Sequence, residues 1–464
     1  MTGRYKAYPE YKDSGSIWFD AIPLSWQAIL LKRVVLAIKD GTHGTYARVS
    51  EGMPLLSAKN VFSNGIYISE SESQISLEHH EEIVRNGFPA KGDLLITCVG
   101  TVGRAFVYDR EKPVSFQRSV AFVRFKGNAF PQYYKYYVES KPYQSQLKSL
   151  IKASAQGGVY MGDLVATESL LPPYIEQKKI ANFLDYETSK IDTLIAKQEK
   201  LIELLKEKRQ AVISHAVTKG LPSVNGEADA PMKDSGVEWL GEVPEHWVVS
   251  KFAYLKTVLT DYTANGSFAD LKANVEYKDS PSFARLVRLT DLRVDLQNDN
   301  GVWIDEDSYK YLRKSALHGG EFLLANVGAY AGLFYQMPFN KGPASLAPNM
   351  FMAKFNTTQV KREFMAYVGQ SDGVASQLKL SATAASAQPK LNKDDFKSVR
   401  FTFPCMGEQQ EIIDYLNIEL PKLDLLMSKQ AKAIELMKER KTALISAAVT
   451  GKIDVRDWKV GGSS

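Results

Sequence analysis

Leu171-Pro172-Pro173-Tyr174 is the string that comes nearest to catalysis in this 464-residue sequence. Amino-group methyltransferases carry a similar Pro-Pro-aromatic tetrad, but theirs opens with Asn or Asp, whose oxygen accepts from the target amine. Leu171 has no acceptor to offer. The corresponding string later in the chain, Phe403-Pro404-Cys405-Met406, loses the pattern. Both read better as the end of a strand halted by proline before a helix. No GxxxxGK[ST] phosphate loop and no HExxH pair occurs. Cys98 and Cys405 lie too far apart in sequence for a paired-thiolate metal knuckle or a disulfide scaffold. His79-His80 falls in the acidic stretch SLEHHEE, where a solvated helix face is the expectation. The chain is therefore not expected to be an enzyme, and no cofactor or metal is expected on it.

Composition sets the frame. Hydrophobic residues make up 44% and charged residues 24%, enough apolar mass for two to four folded domains. Net charge is +5 with both central blocks on the basic side, a mild pointer to a polyanionic partner. No long apolar run and no apolar leader is visible, and two cysteines suit a reducing compartment, so a cytoplasmic protein without a membrane partner is expected.

The elements that must position any polar site come from an internal duplication. YKDSGSIWFDAIPLSW at 11–26 recurs as MKDSGVEWLGEVPEHW at 232–247. Residues 176–220 recur at 408–452 without a gap, with 22 of 45 positions identical. Between the repeats lie two divergent blocks with faint shared landmarks, such as GDLLITCVGTVG (92–103) against GEFLLANVGAYAG (320–332). Glu, Lys, Leu, Ile and Ala dominate 175–218, with no Gly or Pro before Gly220, which predicts one long helix. At ~1.5 Å per residue it is a rod of roughly 65 Å. Leu184, Ile191, Leu194, Leu201, Leu205 and Val212 are the expected seam, matched by Leu416, Leu423, Leu426, Ile434, Met437 and Leu444 in the second rod, which Pro421 should start or kink. Two rods in one chain most simply pair with each other; the alternative is that each is one arm of a homodimeric coil. The blocks read as mixed α/β, with Leu94-Leu95-Ile96, Val120–Val123 and Phe322–Ala325 as buried strands and a helical stretch at 131–151 interrupted by Pro142.

The repeated PP-x-x-EQ-x-x-I type of junction into a long helix, the two divergent blocks and the twin KDSG-x-x-W segments resemble the specificity subunit of type I restriction–modification systems. The second junction, FPCMGEQ, keeps one proline only. The resemblance implies an α/β (α+β) fold with two target-recognition domains in tandem, separated by two long helices that form an antiparallel coiled coil, with a pseudo-two-fold repeat. It divides the chain into an N-terminal arm (1–26), a first recognition domain (27–173), a central helical spacer (174–220), a linker and repeat start (221–247), a second recognition domain (248–404), a second helical spacer (405–452) and a tail (453–464). It implies double-stranded DNA with a bipartite site as ligand. It also implies two methyltransferase subunits and, in the complete complex, two motor-nuclease subunits as partners. S-adenosylmethionine and ATP with Mg would then sit on those partners.

Base edges are read by hydrogen bonds, while Lys and Arg on phosphates set register. Polar side chains in Gly-rich loops between buried strands are the candidates. In the first block these are Thr42 and His43 in the turn that begins at Asp40, then Lys59, Asn60, Thr101, Arg104, Gln117, Arg118 and Gln156. In the second they are Tyr262, Asn265, Arg288, Thr290, Arg293, Asn326, Tyr330, Asn349, Gln388 and Lys390. Arg104, Gln117 and Arg288 stand out because Arg and Gln pair bidentately with guanine and adenine. Asp40, Thr42 and Asn265 equally suit holding turns through side-chain-to-backbone bonds. Lys59, Arg293 and Lys390 equally suit phosphate or solvent, and Tyr330 packing. Trp18, Trp26, Trp239 and Trp247 read as anchors rather than base stackers.

Overall fold

A computed structural model of the chain describes residues 5–151, 157–221, 231–294, 296–298, 300–328, 330–383 and 389–459. Two long helices, Tyr174–Lys219 and Met406–Val449, are continuous, and the second passes through Pro421 rather than starting there. The chain divides into two compact units, one of residues 1–199 with 431–464 and the other of residues 200–430, so each unit contains part of both helices.

In the first unit, Gln27–Leu30 pairs antiparallel with Glu168–Leu171, the strand that Pro172 and Pro173 end before the helix. The main sheet is antiparallel in the order Ala105–Val107, Leu94–Thr97, Val120–Phe125, Val35–Asp40. Beside it lies a small sheet in which Met53–Leu56 runs parallel to Ser115–Phe116. The stretch at 131–151 forms two helices, Pro131–Glu139 and Lys141–Leu150; Ser140 breaks them, and Pro142 sits in the first turn of the second, where its missing N–H costs nothing. Their buried face is tyrosine: Tyr133, Tyr134, Tyr137 and Tyr143 are wholly enclosed.

The second unit repeats this plan. Val248–Lys251 pairs with Arg400–Phe403, and the main sheet runs Phe334–Gln336, Phe322–Ala325, Met350–Phe355, Lys256–Asp261. Ala284–Val287 runs parallel to Ala344–Leu346 in the companion sheet. Helices Arg362–Gln370 and Asp372–Thr383 share a core with the main sheet.

Within each unit the helix segments run antiparallel. In the first, Lys441 meets Asp192 at 2.7 Å, while Trp458, beyond the second helix, packs on Phe183 and Tyr186. In the second, Arg209 meets Asp424 at 3.0 Å, and Ile213 and Val217 share a core with Ile412, Leu416 and Leu420. Ile191, Ile195, Leu205, Leu423, Ile434 and Leu444 are buried. Leu194, Leu201 and Leu426, expected in the seam, face outward instead. A 3.6-residue helix drifts against a strict heptad, so the inner stripe moves to Ile195 where the template would place Leu194.

One further expectation is corrected. His80 is not on a solvated face: it is buried in the helix Leu77–Asn86, its Nδ1 is 2.8 Å from Ser115 Oγ, and burial lowers its pKa.

Candidate nucleic-acid interface

The first unit gathers its candidate loops along one end of the strands. The turn after Val35–Asp40 is tied to the segment after Ser115–Phe116: Thr42 N donates to Phe116 O at 2.7 Å and Arg118 N to Thr42 O at 3.0 Å. Gly41 is obligatory there, since a Cβ would stand 2.2 Å from the Phe116 carbonyl oxygen. Thr42, His43, Gln117 and Arg118 are thereby brought together. Thr42 Oγ1 caps the Gly44 N–H, and His43 Nε2 lies 2.8 Å from Asp40, so both hold the turn as well. Cys98 N donates to Ser119 O, which sets the hairpin 98–104 beside this rim with Thr101 exposed at its tip. Arg104 lies over the Phe62 ring at 4.7 Å.

Two candidates in this unit already have partners within the protein, Asn60 buried and Lys59 exposed. Asn60 is buried, accepting from Ser57 N and donating to Tyr67 O and Glu72. Lys59 pairs with Glu72 at 2.9 Å; burial pushes that carboxyl up, but bonds from Lys59 and Asn60 outweigh it and hold its pKa below the usual value. Gln156 lies outside the described residues, as does Gln388 in the second unit.

In the second unit Tyr262 is buried with its hydroxyl on Tyr277, and Asn265 bonds Tyr262 O, Ser315 Oγ and Lys314 N. Arg288 is also engaged: its Nε and Nη2 reach the two oxygens of buried Asp291 at 3.0 and 2.9 Å. Burial alone would raise Asp291, yet Arg288 and Asn298 keep its carboxyl below the usual range. Arg285 is buried beside the same carboxylate. At the end of the main sheet Asn349 and Lys390 are exposed, while Asn326 is half-buried with its Oδ1 enclosed and without a partner among the described residues. Asn326 N donates to Asn349 O, Leu391 N to Asn326 O, and Val327 bridges to Lys390. Asn349 is exposed with φ of 68°, a left-handed position that Asn tolerates. Thr290 and Arg293 are exposed, and the Arg293 guanidinium stacks on Tyr330 at 3.8 Å.

Sequence reasoning missed Phe62, the platform under Arg104, and Asp291, the acid that occupies Arg288. The second was readable as Arg-x-x-Asp at the start of a short helix, a capping-box spacing. The first had no signal, because one exposed aromatic after a strand usually means packing.

Two copies of one main-sheet plan, each braced on long helices, end in different polar rims, Thr, Gln and Arg in the first unit and Thr, Arg, Asn and Lys in the second. The profile of the type I restriction modification DNA specificity domain matches residues 48–204 and 293–436, well over half of the sequence, and the chain belongs to that family of DNA sequence-recognition proteins. It is 19% identical to the type I restriction enzyme StySPI specificity subunit of Salmonella potsdam over 71% of this chain and 66% of that one, just under two thirds of that relative's length. It is 20% identical to the EcoKI specificity subunit of Escherichia coli K12 over 71% of this chain and 67% of that subunit. Among solved structures, a chain from a study of assembly and conformational transition in a type I R-M system superposes with a TM-score of 0.66 at 13% identity, covering 93% of this chain and 99% of its own. No helix of the described residues is long and apolar enough to cross a membrane.

Proposed function

We propose that this chain is the non-catalytic specificity subunit of a type I restriction–modification complex, in which each unit reads one half of a bipartite, asymmetric DNA site. The observation that carries the reading is the contrast inside the duplication. The main sheets and helix junctions agree strand for strand, while the rims at the strand ends share almost no residues. Identical readers would recognise a repeated sequence; two different rims on one framework call for two different half-sites. The paired helices hold the methyltransferase subunits and set the distance between half-sites, and one turn of DNA, ~34 Å, fits well within a ~65 Å rod. Methyl donor, nucleotide and Mg belong to the partner subunits.

Domain exchange tests this. Residues 27–173 are replaced by the equivalent block of a relative, the chimera is expressed with its methyltransferase, and methylated positions are mapped genome-wide. One half-site should change and the other remain. A change in both, or methylation without any bipartite motif, would overturn the reading. So would methyl transfer by the purified chain alone.

A further inference from the structure

Each unit carries an arginine on an aromatic ring between the same two elements, a helical turn and a hairpin, with the element that supplies the arginine exchanged. Leu55 pairs with Ser115 across the parallel ladder of the first unit, as Leu286 pairs with Ser345 in the second. A short helical turn follows each strand, and its third residue bonds back to the backbone N–H before the turn. Asn60 does this to Ser57 and Asp291 to Arg288, each at 2.9 Å. Two residues further on stand Phe62 and Arg293. The facing hairpins are equivalent too. Gly103 N donates to Thr97 O at 2.9 Å and Gly332 N to Ala325 O at 2.8 Å; Thr97 N donates to Arg104 O at 3.0 Å and Ala325 N to Leu333 O at 3.1 Å. The first hairpin supplies Arg104, the second Tyr330. Arg104 therefore reaches from the hairpin to Phe62, whereas Arg293 reaches from the helical turn to Tyr330 on the hairpin.

Neither guanidinium has an acidic partner among the described residues. Arg124 and Arg288, by contrast, are each clamped by both oxygens of a carboxylate, Asp93 and Asp291. A planar cation held on a ring gives up part of its rotamer freedom before a ligand arrives, and Arg293, bonded by the Tyr330 and Tyr335 hydroxyls rather than by a carboxylate, keeps its charge uncompensated for one. Those are the properties needed to pair bidentately with O6 and N7 of guanine in the major groove.

We propose that these two stacks are the guanine-reading elements of the chain, Arg104 for one half-site and Arg293 for the other, with Phe62 and Tyr330 as positioning residues. The proposal rests on the reading of the chain as a DNA-specificity subunit and adds which side chains recognise which base. It also accounts for the poor match between the two blocks here, since the arginine comes from the hairpin in one unit and from the helical turn in the other.

The experiment is methylation mapping of the complex reconstituted with its methyltransferase. Arg293→Ala should relax one G·C position in one half-site, lowering discrimination there by roughly tenfold to hundredfold and leaving the other half-site intact. Arg104→Ala should do the same in the opposite half-site. Arg293→Lys, which keeps the charge but not the fork, should relax the same position as Arg293→Ala. Tyr330→Ala should weaken that position to a smaller degree, and Tyr330→Phe should preserve it. Uniformly reduced methylation with an unchanged motif would show that the arginine meets phosphate, and would overturn the assignment. Relaxation at an A·T position, or Tyr330→Ala leaving the position intact, would overturn it as well. Loss of any bipartite motif in the unmutated complex would overturn the underlying functional reading; an intact wild-type motif with unaffected variants overturns only this one.

Discussion

In the first unit Gln177 Oε1 accepts from Phe130 N at 2.7 Å, and its amide donates to Asn128 O and Pro172 O; in the second, Gln409 accepts from Lys361 N at 2.8 Å and donates to Gln359 O and Pro404 O. Other fixtures repeat in the same way. Lys141 N bonds Ser446 Oγ as Asp372 N bonds Ser214 Oγ, and Tyr136 bonds Asp185 as Tyr367 bonds Asn417. The cores beside these bonds differ. The first is built of tyrosines, whose hydroxyls reach strand carbonyls such as Glu168 O at 2.7 Å; the second is built of phenylalanines around Phe252. A buried polar group must keep its partner, so the attachments to the helices hold constant. An apolar core needs only to be filled, so its rings are free to change.

The hardest test of that contrast is to remove a shared attachment. Gln177→Ala or Gln409→Ala would leave one N–H and two carbonyls without partners at a site that is 0% exposed in both units. Each substitution should cost roughly 3 kcal/mol or more. Denaturant unfolding measures the loss, and limited proteolysis locates it in the unit that carries the change. A loss below about 1 kcal/mol in both variants would mean the junctions are not the shared fixture.

A second test uses a position where the units disagree. Glu139 ends the helix Pro131–Glu139 as Gln370 ends Arg362–Gln370. Burial pushes the Glu139 carboxyl up to about 7 against the pull of Lys135 and Lys441. Between about pH 4.5 and pH 7 the unfolded chain releases this proton and the folded chain retains it. Stability therefore falls as pH rises through that window and is level above it. Glu139→Gln, which makes the first unit like the second, should match wild type near pH 4 and exceed it by on the order of 2 kcal/mol at pH 8. Thermal melts across that range check it; equal melting at pH 8 would mean that the carboxyl ionises freely in the folded protein.

Periodicity and repetition made the framework readable. The two long helices, the paired strands that end at Leu171 and Phe403 and the KDSG turns follow from residue types along the chain. In those turns Asp13 and Asp234 cap Gly15 and Gly236 identically. The sites were less legible because a side chain's availability depends on its neighbours in space. Arg288 and Arg293 look alike in sequence, yet a buried carboxylate three residues on takes the first, while the second meets only tyrosines. His80 looked solvated because its acidic neighbours are; its own ring faces Ser115. The Phe62–Arg293 equivalence was hidden because a phenylalanine and an arginine at one position leave no identity to align.

The finest comparison is between the two anchoring tryptophans. Trp26 and Trp247 are both enclosed, at 0% and 1% exposure. Trp247 Nε1 donates to Glu408 Oε1 at 2.9 Å. The corresponding carboxylate in the first unit, Glu176, is instead taken by the Tyr8 hydroxyl, and Trp26 Nε1 is without a partner among the described residues. Tyr8 is accordingly held in its protonated form, its pKa raised by burial and by that carboxylate. Tryptophan to phenylalanine removes the same ring volume from each core, so the volume terms largely cancel and the difference reports the bond. Trp247→Phe should cost about 1 kcal/mol more than Trp26→Phe, because only the former removes a hydrogen bond to a carboxylate, Glu408, which keeps its contact with His246. Tyr8→Phe should show the matching deficit in the first unit. Equal losses for the two tryptophan variants would mean that the N–H contributes nothing at Trp247, and that the two anchors work by packing alone.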